Sequence, residues 1–206
     1  MPRVENISLK GKKMKIIHTR DYILRLLCKD LEFKQYLHEF RDKAKFLALC
    51  KECPNYEKSW SCPPFVFDAE ELLNQYSRIH IIVSQFTPTR CGFSMNDFRE
   101  KIKPECIELE NKLLSAEPDL NGHVFATIGK CLYCGEQECR RVYNQPCLHP
   151  EKVRPSLEAY GFDLSRTVKD LFGIELKWGS SNDMPEYLVF VTGMFHNNST
   201  GISIID

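Results

Sequence analysis

The sequence predicts a mixed α/β fold of the α+β kind: a small mixed sheet of about four strands flanked by helices, with two cysteine-rich metal-binding loops set at the ends of regular elements. Three observations lead there. The apolar runs Ile79–Phe86 and Tyr187–Phe195 have the length and β-branched or aromatic content of buried strands. Longer segments repeat apolar residues every three or four positions, the period of a helix with one buried face. Seven of the ten cysteines fall in two bunches. At 206 residues the chain suits one domain that buries roughly 70% of its unfolded surface, so it needs no disulfide or metal merely to form a core.

Taken in order, residues 1–18 read as a flexible start. A single metal-binding domain over 19–206 follows, with a helical part at 19–77 and an α/β part at 78–206. Thr19 is placed to cap a short helix carrying Tyr22, Ile23, Leu26 and Leu27 on one face. A stronger helix covers 31–49 through Phe33, Tyr36, Leu37, Phe40, Ala44 and Leu47, and it runs directly to Cys50. Pro63 and Pro64 forbid further helix. Asp68 and Glu71 form a capping box for a helix to about Tyr76, and Ile79–Phe86 is a strand. Residues 97–115 are a helix with Phe98, Ile102, Cys106, Leu109 and Leu113 inward, which Pro104 must kink or restart. His123–Ile128 is a strand leading to Cys131. Pro155–Tyr160 is a short helix closed by Gly161. Asp163 or Ser165 caps another that buries Leu164, Val168, Leu171 and Phe172 and stops at Gly173. Ile174–Trp178 and Tyr187–Phe195 are the last strands.

Charge narrows the function. Lys plus Arg and Asp plus Glu both number 28, and a neutral chain is a poor generic nucleic-acid binder. The run Lys10, Lys12, Lys13, Lys15 has no interleaved aromatics and reads as a solvated tail. Apolar stretches are too short to span a bilayer, and Met1–Arg20 lacks the apolar core of a secretory signal. The expected compartment is a reducing cytoplasm, where clustered cysteines act as metal ligands or reactive thiols. No phosphate loop, nucleophile elbow or zinc-protease helix is present in the sequence.

The strongest signal is Cys131-x2-Cys134-x4-Cys139-x7-Cys147. Four thiolates this close repel one another unless a cation neutralises them, as zinc and iron–sulfur clusters do. Basic residues outnumber acidic ones around this loop, with Lys130, Arg140, Arg141, Lys152 and Arg154 against Glu136, Glu138 and Glu151. That surplus suits a dianionic tetrathiolate without choosing its metal. The second set, Cys50-x2-Cys53-x8-Cys62-Pro63, has three thiols, with the proline after the last cysteine that ferredoxin-type motifs carry. Three ligands leave one position open for chemistry, unless Cys91, Cys28 or Cys106 closes the site; Cys91, in a loop, is the best placed of these. His149 and Arg154 are candidates for tuning a centre from outside its ligands, with Arg154 pairing with Glu158 as the plainer alternative. Trp60 and Tyr56 are placed to shield the three-cysteine set.

Gly129-Lys130-Cys131-Leu132-Tyr133-Cys134, Cys147-Leu148-His149-Pro150, Trp60-Ser61-Cys62-Pro63-Pro64 and the run Arg154 to Asp163 resemble a prokaryotic family of predicted metal-binding proteins, domain of unknown function 2284. The resemblance spans roughly residues 45–195, with Phe162 and Leu164 where Ile and Val are usual. It implies metal binding through these cysteines, Cys139 being the least uniform, and it implies no particular reaction.

One open and one closed site favour iron–sulfur, as [4Fe–4S] clusters, over two structural zincs. The expectation is a cytoplasmic iron–sulfur protein acting in electron transfer or in reduction of a small molecule, with a redox partner or small-molecule substrate. The enzyme class would be an oxidoreductase or a sulfur-group-removing enzyme. The alternatives are a zinc-binding interaction module without catalysis, or a carrier of metal or clusters.

Overall fold

In a computed structural model, residues 3–9, 12–127, 131–135, 137–179, 184–202 and 204 are described. Six strands form one sheet: β1 (Arg3–Leu9), β2 (Lys12–His18), β3 (Tyr22–Glu32), β4 (Arg78–Pro88), β5 (His123–Phe125) and β6 (Leu188–His196). Their spatial order is β1-β2-β3-β4-β6-β5, and every adjacent pair is antiparallel. Five α-helices accompany them: α1 (Phe33–Phe40), α2 (Lys43–Glu52), α3 (Ala69–Leu73), α4 (Met95–Leu120) and α5 (Leu164–Phe172).

The central strand explains the two-sided architecture. Along β4, Ile79, Ile81 and Val83 enter one core with Phe33, Tyr36 and Phe40 of α1, Leu73 of α3 and Val168 of α5. Ile82 and Phe86 enter the other, under Met95, Phe98, Ile102, Leu109 and Leu113 of α4. A strand covered on both faces must be apolar throughout, which is why Ile79–Phe86 is legible as one run.

Five expectations need correction. The sheet has six antiparallel strands and is not a mixed sheet of about four. Residues 22–32 form β3, not a short helix. Tyr22, Leu24 and Leu26 alternate into the α4-side core, and the strand pairs with β4 over its whole length. The predicted helix over 31–49 is divided, because Arg41 bridges to Phe162 and Asp42 caps a fresh helix by accepting from the Lys45 amide. Residues 174–178 make no strand: Ile174 is buried by packing, without ladder bonds. The start, read as flexible, holds β1 and β2, so Lys12, Lys13 and Lys15 lie on a strand paired on both sides, by β1 and β3. Lys10 and Ile128 lie outside the described residues.

The caps Asp68 and Asp163 and the stops Gly161 and Gly173 stand as read. Helix α4 runs through Pro104 and Pro118 without restarting. No described helix is long and apolar enough to cross a membrane.

Asp30 ties three strands together. It accepts from Arg78 Nε at 2.6 Å and from His196 Nε2 at 2.8 Å, with His80 Nδ1 at 3.5 Å. Burial would raise its carboxyl, but the His196, His80 and Arg78 donors outweigh burial and hold it well below the usual range. A carboxyl depressed in the folded state contributes stability above its unfolded pKa, about 3.9, and that contribution drains away as pH falls toward the folded value. Urea midpoints are therefore expected to fall between pH 5 and pH 3, and Asp30→Asn to flatten that fall. An Asp30→Asn variant with the wild-type pH slope contradicts this account.

Candidate metal centre

Both cysteine sets lie mostly on irregular chain, with Cys50 at the end of α2, and are fixed to the α1-side core. The segment 155–163 does the fixing. Leu157, Tyr160 and Phe162 are buried there, and Phe65, three residues after Cys62, packs on Tyr160 with ring centroids 5.6 Å apart. The same segment docks α2. Asp42 N–H donates to the Gly161 carbonyl at 2.9 Å, Asp163 N–H to that of Phe40 at 2.8 Å, and Arg41 Nε to that of Tyr160 at 2.8 Å. Gly161 has φ 94°, and a Cβ there would stand 2.8 Å from Lys43 Cα, so glycine alone permits the contact. This docking sets the position of Cys50 in the last turn of α2.

Cys50, Cys53 and Cys62 are gathered by a series of turns. Cys53 N–H donates to the Cys50 carbonyl at 3.1 Å, Tyr56 N–H to that of Cys53 at 3.0 Å, and Cys62 N–H to that of Ser59 at 3.0 Å. Cys62 is buried, Cys50 half-buried and Cys53 exposed. Burial raises the Cys62 thiol, while Ser61 and Ser59, both buried, offer it hydroxyls and Arg141 a positive charge. The charges acting on Cys50 are those of Cys62, Cys53 and Glu158. Cys91 is exposed in the turn after β4, a turn held to the β2–β3 connection by Thr89 and Arg90 through Arg20 and Asp21. Cys106 is buried in α4, and Cys28 sits in β3 opposite Ile82. Backbone turns link Cys50 to Cys53 and lead on to Cys62, and Cys91 has no place with them among the described contacts.

Cys131, Cys134, Cys139 and Cys147 all line one cavity of about 280 Å3. Ser59 and Trp60 of the other cysteine loop form part of its wall. The His149 amide donates to Cys147 Sγ at 3.4 Å, and the Tyr133 amide bonds to the Cys131 sulfur. Amide donors of this kind favour a thiolate over a thiol. Burial and the other three cysteines oppose that, and they push the Cys131 thiol up to about 11. The donor set and the enclosure fit a metal that neutralises four thiolates. Among the described residues no three His, Cys, Asp or Glu side chains converge on the position of a single ion.

Three connections were not legible from spacing. Arg141, between Cys139 and Cys147, donates to the Ser59 carbonyl at 2.7 Å, to that of Pro64 at 2.6 Å, and to that of Cys62; its guanidinium stacks 5.2 Å over the Trp60 ring. Trp60 Nε1 returns a bond to the Gln145 carbonyl at 3.1 Å. The two cysteine loops are thus clasped together. Two carboxylates of α4 hold the ends of the four-cysteine loop. Glu110 accepts from Thr127 N–H at 2.6 Å and Tyr133 O–H at 3.2 Å, and Glu117 accepts from Val124 N–H at 2.6 Å and Arg154 Nε at 2.9 Å. Arg154 is therefore paired with Glu117, not with Glu158. The His149 imidazole lies near Glu151, at 4.0 Å, and the Tyr133 ring, so its amide and not its ring meets the sulfur. Lys130 and Glu136 lie outside the described residues.

A family model described as "Predicted metal-binding protein (DUF2284)" matches residues 37–192. The chain belongs to this family. The DUF2284 span runs from α1 into β6 and takes in all seven cysteines of the two sets, the clasp at Arg141 and the docking segment around Gly161. No curated protein and no solved structure matches the chain.

Proposed function

We propose that this DUF2284 member is an iron–sulfur protein. Cys131, Cys134, Cys139 and Cys147 would hold one [4Fe–4S] cluster, and Cys50, Cys53 and Cys62 a second with one iron free of protein thiolate. Such clusters supply one-electron transfer, and an iron lacking a thiolate supplies a site for a small molecule.

The observation that carries this reading is the size and lining of the four-cysteine cavity. Zinc takes sulfur at about 2.3 Å and draws its four ligands to one point. Here four thiols line about 280 Å3 without converging on one ion, a space several times the ~30 Å3 share of a water. A cluster with sulfur ligands at its corners suits that space better. The chain's own contribution is positional. Amides at Tyr133 and His149 favour thiolates at Cys131 and Cys147, Trp60 lines the four-cysteine cavity, and Arg141 ties the two cysteine loops together. Hydrogen bonds to sulfur and exclusion of water are the means by which a protein sets a cluster's potential.

The test is electron paramagnetic resonance on anaerobically purified protein before and after dithionite. The expected outcome is a signal on reduction with two components, one of which Cys62→Ala removes. A silent spectrum in both states, with stoichiometric zinc, contradicts the reading and supports a structural zinc protein.

A further inference from the structure

A second cavity, of about 200 Å3, lies between the first turns of α4, the start of β6 and the chain around Glu158. Its floor is apolar, with Met95, Leu164 and Val191 each buried. Arg99 and Lys177 stand exposed on its rim, and neither forms an ion pair among the described residues. Thr127 also lines it. Thr127 is 5% exposed, and its Oγ1 has no hydrogen-bond partner among the described residues. Glu158 completes the lining. Burial pushes its carboxyl up, which weakens its opposition to an anion nearby.

We propose that this cavity binds a small organic carboxylate. The carboxylate meets Arg99 and Lys177 at the rim, and the apolar body covers the floor. The volume equals about seven waters at ~30 Å3 each, room for a small acid and too little for a nucleotide. Inorganic phosphate would leave the apolar floor uncovered. Glu158 opens the short helical turn Glu158–Tyr160 that packs against α2, the helix carrying Cys50, so the ligand would sit toward the three-cysteine set. That it receives electrons there rests on the iron–sulfur reading; that it binds does not.

The experiment is calorimetric titration of the full chain, as purified anaerobically, with benzoate, isovalerate, benzamide and inorganic phosphate, with metal content measured on the same sample. Saturable binding of at least one of the two acids, weaker binding of benzamide, and about tenfold weaker acid binding by Arg99→Gln are expected from the loss of a charge-assisted bond. Arg99 is exposed, and an unchanged melting midpoint confirms that the variant folds. No saturable binding of either acid, benzamide binding as well as benzoate, phosphate binding more tightly than both acids, or an unaffected Arg99→Gln each overturn the proposal. Binding retained in a sample without iron overturns the cluster reading and leaves this one standing.

Discussion

A Cys147→Ala variant, purified without oxygen, is expected to lose about half of the wild-type iron and half of its sulfide, on the ligand count of two four-iron centres. Cys147 lines the same cavity as Cys131, Cys134 and Cys139, so the four thiols stand or fall as one unit. Ligands of one centre are not additive. Cys131→Ala combined with Cys147→Ala should therefore remove no more iron than either change alone. Adding Cys62→Ala should remove the rest, because Cys62 groups with Cys50 and Cys53. Iron, sulfide and zinc assays on the four proteins check the pattern. Independent losses from Cys131 and Cys147, or equal loss of all metal from any single change, contradict two separate sets.

Arg154→Met is expected to lower the free energy of unfolding by about 3 kcal/mol, the low end of the cost of breaking a buried pair, while leaving the iron content intact. Arg154 and Glu117 have side chains 16% and 14% exposed. With the guanidinium gone, Glu117 keeps its bond from the Val124 amide but remains as a largely buried charge without its cation. The change also loosens the exit of the four-cysteine loop, which Arg154 fastens to α4. Urea unfolding followed by circular dichroism reads the cost. Unchanged stability together with lost iron would place Arg154 at the metal instead of in the scaffold.

The sequence made some of this legible and concealed the rest for physical reasons. Strands β4 and β6 lie between two cores, so their apolar runs are continuous and hard to mistake. Strand β3 was concealed because Tyr22, Ile23, Leu26 and Leu27 satisfy helical spacing as well as Tyr22, Leu24 and Leu26 satisfy alternation. Pairing with β4, a partner almost sixty residues away in the chain, decides between them. Short apolar runs leave that choice to tertiary contact. The grouping of cysteines into four and three is an expectation from local metal-ligand spacing; the structure brings the four to one cavity. The clasp was not readable. Arg141 bonds to backbone carbonyls, which no residue type announces, across about eighty positions of chain. Glu110 did leave a trace: it is an acid beside Leu109 on the buried stripe of α4, and a carboxylate in such a place must have donors.

Four cysteines lining one cavity, with the two cysteine loops clasped through Arg141, lead to a single measurable claim. The most direct measurement is the iron, acid-labile sulfide and zinc content per chain of the wild-type protein isolated without oxygen. The account predicts brown protein with about eight irons, about eight sulfides and no stoichiometric zinc, as two cubane clusters require. Colourless protein with one or two zinc ions per chain and no sulfide would contradict it.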